Sequence, residues 1–168
     1  PIGDRHVRAK VLCMDVGRTR VYLLDTDLAE NAPEDRLLTE GLYKGEPDLR
    51  MRQQVLLGVG GMLALRAVGV APTKIHLNEG HAAFAAIALL AEFRAQGLSH
   101  EAAIKRVRER TVFTTHTPVA AGHDRYGVDM VAAALRETLA KGGISRVELE
   151  ALSRERPEDA KEPVCMTV

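Results

Sequence analysis

Two short runs of β-prone residues open the chain, and a polar turn separates them. Val7 to Met14 and Arg20 to Asp25 are rich in aliphatic and β-branched residues, and Asp15-Val16-Gly17-Arg18 lies between them. Turn-forming residues between two such runs predict a β-hairpin. The stretch from Thr26 to Lys44 carries scattered Asp, Asn, Pro and Gly residues, which predict a loop.

The middle of the chain alternates helical and extended patterns. Apolar residues recur at helical spacing from Pro47 to about Val68, and Lys74 to Asn78 forms a short strand-like run. This alternation predicts an α/β fold with a parallel sheet and flanking helices. The other predicted elements are a helix that begins near Glu79 or Gly80 and ends at Gly97, a helix capped by Ser99, a strand from Thr111 to Thr115, a helix from Val128 to Lys141 and a helix opened by a Ser145–Glu148 capping box.

The glycines of the first long helix are interpreted as sites of close packing by a neighbour. Gly58, Gly60 and Gly61 lie inside a helical pattern and do not follow a strand, so they do not form a dinucleotide-binding loop. The sequence also contains no P-loop motif and no G-x-S-x-G nucleophile elbow. The sequence therefore gives no support for a dinucleotide-binding enzyme, a P-loop nucleotide-binding enzyme or an α/β-hydrolase.

Composition narrows the class of protein further. The 168 residues predict one domain, and 4% aromatic content without tryptophan predicts an aliphatic core. Acidic and basic residues balance at 23 each, so no basic footprint for nucleic acid or for an anionic membrane is expected. No apolar stretch approaches the ~20 residues that span a bilayer. No signal-peptide pattern opens the chain, and the two cysteines, Cys13 and Cys165, are expected to be free thiols of a cytoplasmic protein.

Both ends of the chain suggest a longer parent protein. The sequence begins at Pro1 without a methionine, and it ends in an apolar run from Val164 to Val168 that is typical of the start of a further element. We therefore expect the 168 residues to be part of a larger chain.

The polar residues best suited to bind a ligand or take part in a reaction follow the two predicted strands of the sheet. Ligands of parallel α/β sheets bind beyond the carboxyl ends of the strands. His76-Leu77-Asn78-Glu79-Gly80-His81 and Thr115-His116-Thr117-Pro118 both lie there. We expect Glu79 and His81 to contact a polar ligand, and His76 to point into the core with a hydrogen bond.

Two alternatives stay open at this point. His116 is able to contact a sugar hydroxyl or transfer a proton, but a role as a turn residue fits equally well. A metal-dependent hydrolase using His76, Glu79, His81 and His116 is the second alternative, although the spacing of the first two histidines does not match H-E-x-x-H or H-x-x-E-H.

Four ordered stretches of the chain resemble the α-glucan phosphorylases, most closely their bacterial and archaeal branch. The stretches are YLLDTDLAENAPEDRLLTEGLY (Tyr22 to Tyr43), LRMRQQVLLGVGG (Leu49 to Gly61), HLNEGHAAF (His76 to Phe84) and VFTTHTPVAAGHDRY (Val112 to Tyr126). The resemblance implies a two-lobed glycosyltransferase-B-type fold, of which this chain is part of the N-terminal lobe, with a Rossmann-like sheet. It divides the chain into a hairpin and loop (1–45), an α/β core (46–141) and a helix with a truncated tail (142–168).

The resemblance also assigns functional residues. His116 matches the family's active-site histidine, whereas Asn78, Glu79 and His81 match a segment that lines the glucan channel. Thr117 follows the histidine as in the family. The substrate-binding set is therefore expected to be Asn78, Glu79, His81, Thr117 and Asp124, the last within a gating loop from Pro118 to Arg125.

The implied reaction is phosphorolysis of α-1,4-glucan or maltodextrin by inorganic phosphate, which yields glucose 1-phosphate. The family cofactor, pyridoxal 5′-phosphate, is carried by a lysine of the C-terminal lobe, so no cofactor-binding residue and no metal ligand are expected in this chain. The chain is expected to be inactive alone, and its parent to be able to form a homo-oligomer. A non-catalytic glucan-binding module is a further alternative.

Overall fold

The computed structural model describes residues 1–41, 46–117 and 124–154, and this part of the chain combines helices with two small sheets. The predicted α/β class is confirmed at that level. Residues 118–123 of the predicted gating loop, and the predicted tail beyond Arg154, lie outside the described residues. Among the described helices, none combines the length and the apolar character needed to cross a membrane.

The elements follow one another in an order close to the predicted one. They are β1 (Lys10–Val16), β2 (Thr19–Asp25), α1 (Pro33–Arg36), a 3₁₀ turn (Leu37–Thr39), α2 (Pro47–Val55), a π-helical segment (Leu56–Gly60), α3 (Gly61–Ala67), β3 (Ile75–Asn78), a 3₁₀ turn (Gly80–Ala82), α4 (Phe84–Ala95), α5 (His100–Arg110), β4 (Thr111–Thr114), α6 (Val128–Ala134), α7 (Arg136–Gly142) and α8 (Arg146–Arg154).

The predicted hairpin is confirmed, with a tighter turn than the sequence indicates. Strands β1 and β2 pair antiparallel from Lys10 opposite Asp25 to Val16 opposite Thr19. Gly17 adopts φ +62°, so it supplies the positive φ that a two-residue hairpin turn requires. Strand β1 therefore runs through Val16, and only Gly17 and Arg18 form the turn.

The predicted loop after the hairpin contains a short helix. Pro33 occupies the first turn of α1, where its fixed φ suits a helix and its missing N–H costs nothing. Asp35 is 3% exposed and pairs with Arg52 of α2 and, at 3.5 Å, with Arg5. This buried ion pair holds the segment against α2, which explains why a loop-like sequence forms helical turns here.

The long predicted helix from Pro47 is continuous through α2, the π-helical segment and α3. A Cβ at Gly58 would lie 2.7 Å from the Ala85 nitrogen and 2.9 Å from Phe84 carbon atoms, so the helix approaches the start of α4 closely. The predicted packing role of glycine is confirmed at Gly58. At Gly61 a Cβ would meet nothing within 4 Å, so that glycine has no packing role.

Strands β3 and β4 form the parallel pair that positions the site. Their register runs from Ile75 opposite Thr111 to Asn78 opposite Thr114. Helices α4 and α5 form the connection between them. The prediction of parallel pairing is confirmed for these two strands, while the larger Rossmann-like sheet stays a prediction because the described residues contribute only two strands to it.

The core lies between the long helix, α4 and α7. Aliphatic side chains dominate it as predicted, with Phe84 and Phe93 as buried aromatic residues. Helix α7 packs directly on α4. The contact is so close that a Cβ at Gly142 would lie 2.5 Å from the Ala91 Cα. The largest fully buried side chains in the described part are those of Leu38, Met51, Val55, Leu135 and Thr26.

The helix predicted from Val128 to Lys141 is broken into α6 and α7. The Ala134 carbonyl accepts a hydrogen bond from the Gly3 main-chain nitrogen at 2.9 Å, and Leu135 leaves helical geometry with φ −102° and ψ 13°. The N-terminal segment thus donates to a carbonyl that would otherwise accept the next hydrogen bond of the helix. No local pattern in the sequence indicates this interruption.

Candidate active site

The parallel register brings the ends of β3 and β4 to one edge of the sheet. Asn78 and Thr114 are the last paired residues, and the Glu79 main-chain nitrogen still donates to the Thr114 carbonyl at 2.8 Å. The segment from Thr115 to Thr117 therefore lies beside Glu79. Residues that are 37 positions apart in sequence become direct neighbours, as predicted for this edge.

The Glu79 carboxylate binds three successive residues of the opposite segment. Its Oε2 accepts from the Thr115 hydroxyl at 2.9 Å. Its Oε1 accepts from the main-chain nitrogens of His116 at 2.8 Å and Thr117 at 3.1 Å, and from the Thr117 hydroxyl at 3.0 Å. The side chain is only 8% exposed. Glu79 thus forms a buried anchor for the segment that follows β4.

These hydrogen bonds change the acidity of Glu79. The main-chain N–H of His116 contributes most, and with the hydroxyls of Thr115 and Thr117 it lowers the pKa of the Glu79 carboxyl from 4.5 to about 2, against the opposing effect of burial. Hydrogen bonds to the ionised form favour that form. Glu79 is therefore a carboxylate throughout the neutral range.

The His116 imidazole is held by both of its ring nitrogens. Its Nδ1 lies 2.8 Å from Glu79 Oε1, and its Nε2 lies 3.1 Å from Asn78 Oδ1. Both neighbouring atoms are acceptor oxygens, and which ring nitrogen donates depends on the tautomer of His116. The side chain is nevertheless 66% exposed. The ring is oriented by protein groups and still open to a ligand.

The other predicted histidines occupy different surroundings. His81 lies half-buried in the 3₁₀ turn directly after Glu79, and its role toward substrate stays a prediction. The placement of His76 in the core is wrong: its side chain is exposed and its Nε2 lies 2.8 Å from the Thr114 hydroxyl. Successive strand residues point to opposite faces, and Leu77 takes the buried one.

Asp124 is tied to α2 by both of its carboxylate oxygens. Arg50 approaches Oδ1 at 2.9 Å and Gln54 donates to Oδ2 at 2.7 Å, and the Asp124 side chain is 18% exposed. Burial and the neighbouring Asp124 raise the pKa of Tyr126 to about 12. The substrate-binding role of Asp124 stays a prediction. Arg50, Gln54 and Thr115 were not predicted as partners, because their contacts join segments distant in sequence.

The geometry does not favour the metal-dependent alternative. Within residues 1–41, 46–117 and 124–154, no group of three or more His, Cys, Asp or Glu side chains is arranged to hold a metal ion. His76 bonds to Thr114, and the Glu79 carboxylate is surrounded by hydrogen-bond donors.

A cavity elsewhere in the described part of the chain has a different character. It measures about 670 Å³ and opens near the start of β3, with Pro72, Ile75 and Phe93 in its wall. Its arginines are already engaged, since Arg66 pairs with Glu92 and Arg110 donates to the Pro72 carbonyl. Convergent polar groups around an exposed histidine occur at the β3 and β4 tips, so we place the candidate site there.

The chain is similar to several phosphorylases. It is 46% identical over 155 residues to the maltodextrin phosphorylase of Thermococcus litoralis, a match covering 92% of this chain and 18% of that protein. It is 42% identical over 137 residues to the glycogen phosphorylase of Mycobacterium tuberculosis (77% and 16%). It is 36% identical over 130 residues to that of Aquifex aeolicus (77% and 19%). No protein-family model matches the chain, and neither does any solved structure.

The chain is an α/β segment with a polar site at the tips of two parallel strands, and its relatives are phosphorylases. These features together define it as a phosphorylase-like segment. The chain spans less than a fifth of the length of the three relatives named above. It is a homologue of one segment of the α-glucan phosphorylase family, as the resemblance of the four motifs implies.

Proposed function

We propose that this chain forms the part of an α-1,4-glucan phosphorylase that holds the sugar to be cleaved, with His116 in contact with that sugar. The observation that carries the proposal is the His116 ring, which is fixed by Glu79 and Asn78 yet 66% exposed. The similarity to maltodextrin and glycogen phosphorylases supports the substrate class.

The chemistry of a glucan suits this arrangement. A glucan presents many hydroxyl groups and no charge, so its site needs neutral and anionic hydrogen-bonding groups in fixed positions. Asn78, His81, His116 and Thr117 supply such groups near the strand tips. An oriented imidazole is able to bind a sugar hydroxyl without first losing conformational freedom, which favours a reactive pose.

The described residues do not fit the attachment of pyridoxal phosphate. Lys74 lies at the opposite end of β3 and donates to the Glu109 carbonyl, and Lys10 pairs with Asp25 in the hairpin. The other described lysines, Lys105 and Lys141, belong to helices α5 and α7 and not to the strand tips. When bound in the complete enzyme, the cofactor would supply a phosphate group for proton transfer. We propose that this group comes from another part of the parent, and that the chain is inactive alone.

Phosphate-dependent cleavage by the full-length protein tests the proposal. We expect maltodextrin and inorganic phosphate together to yield glucose 1-phosphate, with no product when phosphate is omitted. Release of reducing sugar without phosphate would contradict the proposal in favour of hydrolysis. Binding of maltodextrin without any cleavage would contradict it in favour of a glucan-binding module.

A further inference from the structure

We propose that Glu79 is a positioning residue that fixes His116 for reaction and does not itself contact the glucan. The inference rests on the proposed function, because it assigns a role within the same site. It departs from the expectation that Glu79 binds substrate directly. Three features of the described residues carry it: the use of its carboxylate oxygens, the conformation of its main chain and the orientation of the His116 ring.

The carboxylate of Glu79 has little capacity left for a sugar. A carboxylate offers about four acceptor positions on its two oxygens. Oε1 already faces two main-chain N–H groups, the Thr117 hydroxyl and His116 Nδ1, and Oε2 accepts from Thr115. The side chain is also buried. Only Oε2 keeps an unused acceptor position, and because the side chain is 8% exposed a sugar hydroxyl has little access to it.

The main chain of Glu79 is held in a conformation that L residues rarely adopt. Its φ is +57° and its ψ is −175°, and among the described residues other than glycine it alone has a positive φ. Such strain costs on the order of 1–3 kcal/mol and persists only where surrounding contacts enforce it. Here the Glu79 nitrogen bonds to Thr114 and the carboxylate bonds to residues 115–117. The strained residue therefore joins the two strand tips from both its main chain and its side chain.

The ring of His116 takes its orientation from this anchor. Glu79 Oε1 accepts the main-chain N–H of His116 and also lies 2.8 Å from Nδ1 of its ring, so one oxygen contacts both the main chain and the side chain of that residue. An acceptor on one imidazole nitrogen determines how the other nitrogen is presented. Nε2 is thus directed toward Asn78 and the exposed side of the ring.

Steady-state kinetics of the full-length protein separate positioning from direct contact. We expect Glu79→Ala to lower kcat about 10²-fold while KM for maltodextrin changes less than about threefold, because misplacing a reacting group slows the chemical step. Glu79→Gln keeps an oxygen that accepts the main-chain N–H groups, so it should retain kcat within about tenfold. Glu101→Gln, which removes an exposed carboxylate at the start of α5, is the matched control and should leave both constants unchanged.

A double-mutant cycle asks whether Glu79 acts through His116. In a His116→Ala background, we expect Glu79→Ala or Glu79→Gln to lower kcat by less than about threefold further, since the group being positioned is already gone. If Glu79→Ala does not fold, Glu79→Gly, which removes the carboxylate and suits the positive φ, completes the cycle. Additive losses, or a raised KM with normal kcat, would overturn the inference. An inactive wild-type protein would instead refute the proposed function, so the two failures are distinguishable.

Discussion

At the scale of single residues, the conformation of Glu79 is the feature that most sharply departs from ordinary backbone geometry. Its φ of +57° and ψ of −175° place it in a region that glycine adopts readily and other residues do not. The next residue is Gly80, yet the strain falls on the glutamate. This placement makes sense if the side chain of Glu79 is needed at that point.

Comparing Glu79→Gly with Glu79→Ala measures this strain. Both variants lose the carboxylate, but only glycine also relieves the positive φ. We therefore expect the glycine variant to unfold at a higher temperature than the alanine variant, by the equivalent of about 1 kcal/mol or more. Thermal unfolding of the full-length variants provides the comparison. The usual order, with alanine more stable than glycine, would show that the strain is absent.

The sequence identified most residues of the candidate site but not the separate role of each residue. Glu79, His81 and His116 were expected at one edge because the ends of parallel strands meet there, and the family resemblance added Asn78 and Thr117. The structure brings Asn78, Glu79, His116 and Thr117 into contact, whereas the role of His81 stays a prediction. The anchoring role of Glu79 could not be predicted, because it depends on a φ value and on hydrogen bonds between segments 37 residues apart. His76 was misplaced because a four-residue strand gives too short a pattern to tell its two faces apart.

At the scale of secondary-structure elements, two glycines set how closely helices pack. A Cβ at Gly58 would meet main-chain atoms of α4 at 2.7 Å, and one at Gly142 would lie 2.5 Å from the Ala91 Cα. The atoms in the way belong mainly to the backbone, which cannot rotate aside. These helix pairs therefore depend on the absence of a side chain.

Alanine substitutions test that dependence. We expect Gly58→Ala and Gly142→Ala each to destabilise the protein by about 1–3 kcal/mol through overpacking. Gly61→Ala is the matched control, since it lies in the same long helix with nothing within 4 Å, and it should stabilise by about 0.5–1 kcal/mol. Chemical denaturation of the three variants provides the measurement. Equal effects at Gly58 and Gly61 would contradict the packing role.

Local signals predicted the elements well where the decisive contacts are local. Ser99 accepts from the Ala102 nitrogen at 3.3 Å as a helix cap, and Ser145 and Glu148 form the reciprocal capping box. The break after α6 escaped prediction because its cause is a hydrogen bond from Gly3. The helical turns of α1 escaped for a similar reason, since they are held by an ion pair with α2.

At the scale of the whole molecule, the candidate site lies at an exposed edge of the small parallel sheet. The β3 and β4 tips present an oriented, exposed histidine, while the lysines Lys10 and Lys74 lie away from it. Large apolar side chains also remain exposed on both sheets, including Leu12, Met14 and Phe113. The relatives extend well beyond the matched segment, and under the proposed function further parts of the parent would cover these surfaces.

A pair of histidine variants tests the central claim most directly. His76 lies in β3 and His116 lies two residues after the adjacent strand β4, and both are exposed, but only His116 is held by Glu79 and Asn78. In the full-length protein we predict that His116→Ala lowers the rate of glucose 1-phosphate formation by about 10²-fold or more, whereas His76→Ala stays within about threefold of wild type. Comparable rates for the two variants, or a larger loss at His76, would contradict the account.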